Sequence, residues 1–364
     1  MAETPALSGS LKLHFASDNC AGICPEAWEA MASANTGYAA GYGDDEWTEK
    51  ASALIREVFE FDCEVFFTFN GTAANSLALA SMCQSWHSVI AHAHAHVETD
   101  ECGAPEFFCN GTKLLLVPGD HGKVDLHHVE ETVRRRSDIH FPPPRALSIT
   151  QATELGTVYS AEELDAIHEM KRRLGLRLHM DGARFANAIA NQGIAPSEFS
   201  WKVGVDVLCL GGTKNGIAVG DCVVFFDADL ASEFGYRCKQ AGQLASKMRF
   251  LAAPWVGLLR EDVWLNNARR ANDKARTLAR ALVAIPGVEL SNPVEANFVF
   301  VRFPDAVAEQ LRLFGWRFYS SIGASGARLV CSWNTTDEDV TRLVADVRRC
   351  MAAADGTGGS NRDH

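Results

Sequence analysis

An aspartate and a lysine each follow an apolar segment of this chain. Asp181 stands in His-Met-Asp-Gly-Ala-Arg after a predicted strand at 176–180, and Lys214 stands in Leu-Gly-Gly-Thr-Lys after a predicted strand at 205–210. Ligands of open parallel sheets bind outside the carboxyl ends of the strands. Both side chains are therefore candidate members of one binding site.

Each of the two residues has a chemical and a structural interpretation. In a half-buried crevice, Asp181 stays ionised only beside a cationic or hydrogen-bond-donating partner, such as a protonated pyridine nitrogen. The structural alternative is a helix cap or a salt bridge with Arg184. Lys214 loses hydration among small residues, which favours its neutral, nucleophilic form, although most lysines are solvated surface charges. Its position after a strand favours the nucleophile.

A third candidate is the segment Asn-Gly-Thr-Ala-Ala-Asn at 70–75, which follows an apolar stretch and is predicted to open a helix. Free backbone N–H groups at a helix N-terminus, together with a threonine hydroxyl, bind phosphate well. Asn70, Gly71 and Thr72 are therefore candidate phosphate ligands. Small polar residues also begin helices that bind no ligand, so the segment alone does not distinguish a phosphate site from an ordinary helix N-terminus.

Three histidines alternate with alanine at His92, His94 and His96. An extended segment would place all three imidazoles on one face. Because His-x-His can chelate zinc, a metal hydrolase is one hypothesis, although no His-Glu-x-x-His motif accompanies the run. Another is that one of the three stacks on an aromatic cofactor.

The composition indicates which binding partners and which cellular compartment to expect. The formal net charge of −12 argues against nucleic acid and anionic membranes, which call for basic patches. Eleven cysteines are spread along the chain without a Cys-x-x-Cys pair, which is typical of a reducing compartment. No apolar run approaches the roughly 20 residues of a membrane helix, and the first residues do not resemble a signal peptide. We expect a cytoplasmic protein.

Short apolar segments alternate with amphipathic ones through most of the chain. This alternation predicts an α/β fold with a largely parallel sheet and helices on both faces. Ser160 and Glu163 form the pattern of a capping box for one helix, which Gly175 should end. The predicted strands lie at 88–91, 113–117, 146–150, 176–180, 205–210 and 222–226.

From about residue 254 the pattern changes to a long helix, two strands and a last helix. This indicates a smaller α+β domain. We therefore predict an N-terminal arm at 1–10, a large domain at 11–253, a small C-terminal domain at 254–352 and a disordered tail at 353–364.

Taken in order, the motifs resemble the threonine aldolase family, in the β-eliminating-lyase branch of the fold-type I enzymes that use pyridoxal 5′-phosphate (PLP). The most specific match is Asp-Gly-Ala-Arg at 181–184. By this resemblance Asp181 pairs with the pyridine nitrogen, Lys214 holds the cofactor as a Schiff base, and His96, followed by Glu101, stacks on the cofactor ring. The segment Asn70-Gly71-Thr72 falls where the family binds the phosphate.

The resemblance also implies roles for residues that the spacing alone does not single out. Arg328 grips the substrate carboxylate with help from Ser17, and Arg184 contacts both cofactor and substrate. His140, in His-Phe-Pro, lies near the substrate hydroxyl. Two further residues, Tyr42 and Arg249, belong to segments that serve the site of a neighbouring subunit, which implies a homodimer or homotetramer with shared active sites.

The implied reaction is retro-aldol cleavage of a β-hydroxy-α-amino acid such as L-threonine, L-allo-threonine or phenylserine into glycine and an aldehyde, with His96 or His140 as the base. The chain departs from the family where many members read Glu-Asn-Thr-His-Asn, since it has Gln-Ala-Thr-Glu-Leu at 151–155. The alternative functions are another PLP reaction (racemisation, β-elimination or transamination) and the metal hydrolase.

Overall fold

The computed structural model describes residues 14–320 and 326–357. The predicted arm at 1–10 lies outside the described residues, as does the tail from residue 358 onward. The last helix runs to Thr357, so residues 353–357 of the predicted disordered tail are helical instead. Alanines at 352–354 have the highest helix propensity, which explains the extension.

Seven strands form the larger sheet: β1 Glu64–Thr68, β2 Ser88–His92, β3 Lys113–Val117, β4 Pro144–Thr150, β5 Arg177–Gly182, β6 Val207–Leu210 and β7 Asp221–Phe225. Their order is β1-β7-β6-β5-β4-β2-β3, and all run parallel except β7. The predicted largely parallel sheet is confirmed. Strands β2, β6 and β7 are buried along their whole length because helices cover both faces, which gives continuous apolar runs.

The helices begin and end at signals that the sequence carries. The Ser160–Glu163 capping box is formed, and Gly175, with φ of 68°, ends that helix as predicted. The helices are α1 Pro25–Ala34, α2 Glu46–Phe59, α3 Gly71–Met82, α4 His96–Thr99, α5 Ala104–Phe108, α6 Leu126–Arg134, α7 Ala161–Leu174, α8 Phe185–Gln192, α9 Ala228–Ala231, α10 Phe234–Gln240, α11 Arg249–Leu259, α12 Val263–Val283, α13 Asp305–Leu313 and α14 Asp337–Thr357.

A second, antiparallel sheet forms the smaller domain. Its strands are β8 Glu289–Leu290, β9 Phe298–Arg302, β10 Tyr319–Ser320 and β11 Ala327–Val330, in the order β10-β11-β9-β8. Helices α12, α13 and α14 contribute with it to a separate hydrophobic core. The expected small α+β domain is therefore present.

The hydrophobic cores divide the chain within α12 and not between residues 253 and 254. Helix α11 is buried almost throughout and packs on α1 and α2 of the large domain. Trp264 and Ala268 of α12 join the large core, whereas Ala275 and Leu282 join the small one. Phe15, near the start of the described chain, also packs in the small core. Because one helix contributes to both cores, the boundary between them falls inside a single element.

Two observations bear on the expected setting of the protein. None of the helices in the described part of the chain is both long and apolar enough to cross a membrane. All eleven cysteines lie within the described residues and are free thiols, most of them buried.

Candidate active site

Asp181 is the fifth residue of β5, at the carboxyl edge of the sheet, and it is buried. Its Oδ1 accepts a hydrogen bond from the Ala183 N–H at 3.0 Å, and its Oδ2 accepts one from Asn75 Nδ2 at 3.0 Å. The salt bridge with Arg184 that was the structural alternative does not form, because Arg184 binds Asp18 instead. The carboxylate thus keeps acceptor capacity for a cationic ligand group.

Lys214 lies in a 3₁₀ turn, Thr213–Asn215, that follows β6. The turn is fixed by Asp221, whose Oδ1 accepts the N–H groups of Gly212 at 2.8 Å and Thr213 at 3.1 Å. Among the described residues, the Lys214 ammonium has neither a hydrogen bond nor an ion pair. A half-buried lysine held by a rigid turn and left without a partner is suited to bind a ligand.

Two glycines let the Lys214 turn pack closely, Gly211 against the chain that follows β5 and Gly212 against α11. A Cβ at Gly211 would lie 2.3 Å from the carbonyl oxygen of Ala183, and one at Gly212 would lie 2.6 Å from Cζ2 of Trp255. Both distances are far below van der Waals contact, so only glycine fits. The close approach brings the lysine-bearing turn onto the segment that carries Asp181.

His96 is the first residue of α4 and is connected to Asp181 by side-chain hydrogen bonds. Its Nδ1 lies 2.8 Å from Oε1 of Glu101, and Asn75 Nδ2 donates to both Glu101, at 2.8 Å, and Asp181. The hydrogen bond with Glu101 raises the pKa of His96 against the opposing effect of burial. The bond occupies Nδ1 and leaves Nε2 for a ligand.

The effect of Glu101 on His96 can be tested by titration. We expect Glu101→Gln to lower the pKa of His96, because the neutral amide no longer favours the imidazolium. In the wild type, the raised pKa means that protonated His96 stabilises the folded state. This stabilisation is fully present below the pKa of histidine in the unfolded chain, about 6.5, and it is lost as the pH rises through the pKa of His96 in the folded protein. NMR titration of His96 measures the shift. Glu98→Gln, on the exposed face of α4, is the matched control, and an unchanged His96 pKa in Glu101→Gln would refute this cause.

The other two histidines of the run do not share a face with His96. Strand β2 ends at His92, and the chain turns before α4 begins. His92 Nε2 bonds to the Gly119 carbonyl oxygen at 3.0 Å, and its Nδ1 accepts the His94 N–H at 3.0 Å. The prediction of an extended segment, on which a metal site of His92, His94 and His96 depended, is therefore wrong.

One group in the described chain has ligand atoms close enough for a metal: His96, Glu101 and Asp181, within 4.8 Å of one another. The Asn75 amide donates to both carboxylates, and the Ala183 N–H donates to Asp181. These donors occupy acceptor sites that a cation would need, so the cluster is better suited to hydrogen bonding than to metal ligation.

The predicted phosphate segment does open a helix, α3, with Asn70 as its N-cap. Asn70 Oδ1 accepts the Ala73 N–H at 2.9 Å. Within the described residues, the N–H groups of Gly71 and Thr72 and the Thr72 hydroxyl have no hydrogen-bond partner. They stand at the positive end of the helix dipole, about one turn before Asn75, which contacts Asp181.

Arg184 is a buried residue that organises the start of the described chain. Its Nε and Nη2 donate to the two oxygens of Asp18 at 2.7 and 2.8 Å, and Asn297 donates to the same carboxylate at 2.9 Å. Burial alone would raise the pKa of Asp18, but the charge and hydrogen bonds of Arg184 hold it below its ordinary value. The pair fixes the segment containing Ser17 beside β5.

Arg328, on β11, is a half-buried cation that forms no ion pair with the described residues. Among them its buried Nε has no hydrogen-bond partner, and its Nη2 lies 3.5 Å from the carbonyl oxygen of Ala16, next to Ser17. The guanidinium lies 5.9 Å from the ring centroid of Phe298 and 4.9 Å from that of Tyr319. Burial, and then repulsion by Arg184, lower the pKa of Arg328. The site is therefore prepared for a ligand carboxylate.

Three predicted site residues do not join this cluster within one protomer. His140 is exposed and precedes β4, so it lies at the opposite edge of the sheet, about 20 Å away by the rise of a strand. Tyr42 lies by the edge strand β1, where its N–H donates to the Ser246 carbonyl oxygen, and Arg249 begins α11 nearby. One protomer alone does not bring His140 to this cluster, so His140 as the base stays a prediction that requires a second protomer.

Sequence reasoning missed two residues of the site, Asn75 and Glu154. Asn75 is a buried polar residue in a helix otherwise lined by alanine and leucine, which is a signal that it has a partner. Glu154 lies in the loop after β4, at the position where the chain departs from the family pattern.

The comparisons with known proteins agree with this geometry. The β-eliminating lyase family model matches residues 14–305. A low specificity L-threonine aldolase of Pseudomonas aeruginosa is 60% identical over 93% of this chain and 98% of its own, and another from a Pseudomonas species is 59% identical over the same shares. A Leishmania major threonine aldolase structure superposes with a TM-score of 0.88 at 28% identity, over 93% of this chain and 99% of that one, which confirms the fold-type I expectation. The chain belongs to the β-eliminating lyase family and, within it, to the threonine aldolases.

Proposed function

We propose that this protein cleaves the β-hydroxy-α-amino acids L-threonine, L-allo-threonine and phenylserine to glycine and an aldehyde, using PLP held by Lys214. One observation supports this most strongly. Within the described residues, an unpaired lysine and a buried aspartate lie at the carboxyl edge of the larger sheet, and a half-buried arginine without an anion lies beside the Ala16–Asp18 segment that Arg184 holds. The names of the relatives support the same substrate class.

The described residues fit PLP at each of its polar ends. Lys214 offers a free amine, Asp181 offers a carboxylate for the pyridine nitrogen, and the free N–H groups of Gly71 and Thr72 suit the phosphate. Gly211 lets the turn that carries Lys214 pack on the Ala183 backbone, next to Asp181. When bound there, the cofactor supplies an electron sink for the pair released from the Cα–Cβ bond.

The chain itself orients the substrate. Arg328 binds the α-carboxylate through its free guanidinium edge, and Ser17, beside Ala16, lies within the same corner. Fixing the carboxylate holds the Cα–Cβ bond in one orientation, which lowers the entropic cost of reaching the cleavage geometry. Arg184 acts by holding Asp18 and the segment that carries Ser17.

His96 is the imidazole that one protomer provides for proton transfer. The hydrogen bond with Glu101 orients the ring and leaves Nε2 toward the ligand space. Removal of the β-hydroxyl proton accompanies cleavage of the Cα–Cβ bond and release of the aldehyde, and protonation at Cα then gives glycine. His140 enters this scheme only from another protomer.

We also propose a homodimer or homotetramer whose subunits share active sites. Tyr42 and Met248 line an open cavity of about 680 Å³ beside the edge strand β1, together with the exposed Tyr236. An exposed apolar surface of this kind favours association. Arg249 follows Met248, so a second protomer packed here would meet both predicted partner segments.

The function is tested by identifying the products formed from each of the three substrates. From threonine, aldol cleavage gives glycine and acetaldehyde, whereas β-elimination gives 2-oxobutanoate and ammonia, and transamination consumes threonine without forming glycine. We expect stoichiometric glycine and aldehyde. Loss of threonine without glycine, or no turnover of any of the three, would refute the proposal.

A further inference from the structure

Glu154 lies in a loop at the carboxyl edge of the larger sheet. It follows β4, which pairs with β2 on one side and β5 on the other. Strand β2 leads to His96, and β5 carries Asp181. Because the carboxyl ends of these parallel strands meet at one edge, the loop after β4 emerges at the same edge as the imidazole and the aspartate.

The loop that carries Glu154 is held rigidly on both sides. Thr153 N–H donates to the Thr157 carbonyl oxygen at 2.9 Å, and Gly156 N–H donates to the Thr153 carbonyl oxygen at 2.9 Å. The hydroxyls of both threonines donate to the carbonyl oxygen of His121, at 3.0 and 2.6 Å. Both threonines are buried, whereas Glu154 is half-buried. The geometry therefore fixes the backbone from which this carboxylate projects.

The Glu154 carboxylate has no hydrogen bond or ion pair within the described residues, yet its charge acts on three basic side chains of the site. After Glu101 and Asp181, it adds to the raised pKa of His96. Burial and Arg184 lower the pKa of Arg328, and Glu154 opposes that change. Burial would also lower the pKa of Arg184, whereas Asp18 and then Glu154 raise it. A carboxylate whose charge acts on three site residues, and which forms no hydrogen bond with any of them, is available to a ligand.

The substrate has one hydrogen-bond donor that could bind such a carboxylate. A carboxylate only accepts hydrogen bonds. In the proposed function the α-carboxylate goes to Arg328 and the α-amine to the cofactor, so the β-hydroxyl is the remaining polar hydrogen.

We propose that Glu154, and not His96, is the catalytic residue that binds the substrate β-hydroxyl and takes its proton. The O–H bond breaks toward Glu154, its electron pair forms the second C–O bond of the aldehyde, and the Cα–Cβ pair leaves toward the cofactor. The proton that Glu154 gains is lost to solvent, and Cα receives one to give glycine. This step rests on the proposed function.

The test separates chemistry at the hydroxyl from chemistry at Cα. In the holoenzyme, we expect Glu154→Gln to lower kcat for threonine cleavage by about 10²–10⁴-fold, the usual range for a general base. Exchange of the glycine α-proton with deuterium, followed by NMR, should stay at the wild-type rate, because glycine has no β-hydroxyl. PLP content should also be unchanged. Glu162→Gln, on the exposed first turn of α7, is the matched control and should leave both rates unaltered.

Each other outcome is decisive. If Glu154→Gln cleaved threonine at the wild-type rate, the inference would be overturned and the proposed function would remain intact. Equal losses of cleavage and glycine exchange would also overturn it, since they would show that Glu154 only supports the structure. A wild-type protein that forms no glycine from threonine would instead refute the proposed function, and this inference with it.

Discussion

Lys214→Ala will give a colourless protein that forms no glycine from threonine. The alanine has no amine to hold PLP, and the rest of the turn, fixed by Asp221, stays in place. The expected loss is complete because the cofactor carries the electron-accepting chemistry. Visible absorbance, PLP content and glycine formation measure it.

Lys202→Ala is the control for this substitution. Lys202 pairs with Glu198 on the surface, so its removal should leave both colour and activity unchanged. A Lys214→Ala protein that kept a borohydride-sensitive yellow colour would show that another amine holds the cofactor.

Arg328→Ala will raise the KM for threonine strongly and leave PLP bound. A hydrogen bond to a charged group contributes about 1.5–3 kcal/mol, which corresponds to roughly 10- to 100-fold in KM for each bond lost. Removing the side chain also frees space between Phe298 and Tyr319, without touching Lys214 or Asp181. Steady-state kinetics and PLP content are the measurements.

Arg328→Lys separates charge from geometry, because lysine keeps the charge but loses the paired donors. Its KM should fall between those of the wild type and Arg328→Ala. If Arg328→Ala lost PLP and bound threonine normally, the carboxylate role would be wrong.

The sheet and its carboxyl edge could be predicted because their signals are local. Strands buried on both faces give continuous apolar runs, and β3 was predicted with the bounds it has. The ends of those runs then located Asp181 and Lys214. The domain boundary had no such signal, because α12 contributes to both cores.

The direction of side chains could not be predicted where the chain turns. The spacing of His92, His94 and His96 suggests one face only if the segment is extended, and β2 ends at the first of them. His140 differs, because its place before the predicted strand at 146–150 already put it at the amino end of β4, and only the family resemblance implied a role in the site. Asn75 enters the site because α3 packs against β5, and Glu154 because β4 pairs with β5; neither contact is encoded locally in the sequence.

The most direct test of the account is to locate the cofactor on the chain. Reduction of the purified protein with borohydride, proteolysis and mass spectrometry would identify the modified peptide. We expect the mass of a pyridoxyl phosphate group on Lys214, in the turn Thr213–Asn215 after β6. An unmodified Lys214, with the group on another lysine or on none, would contradict the assignment of the site.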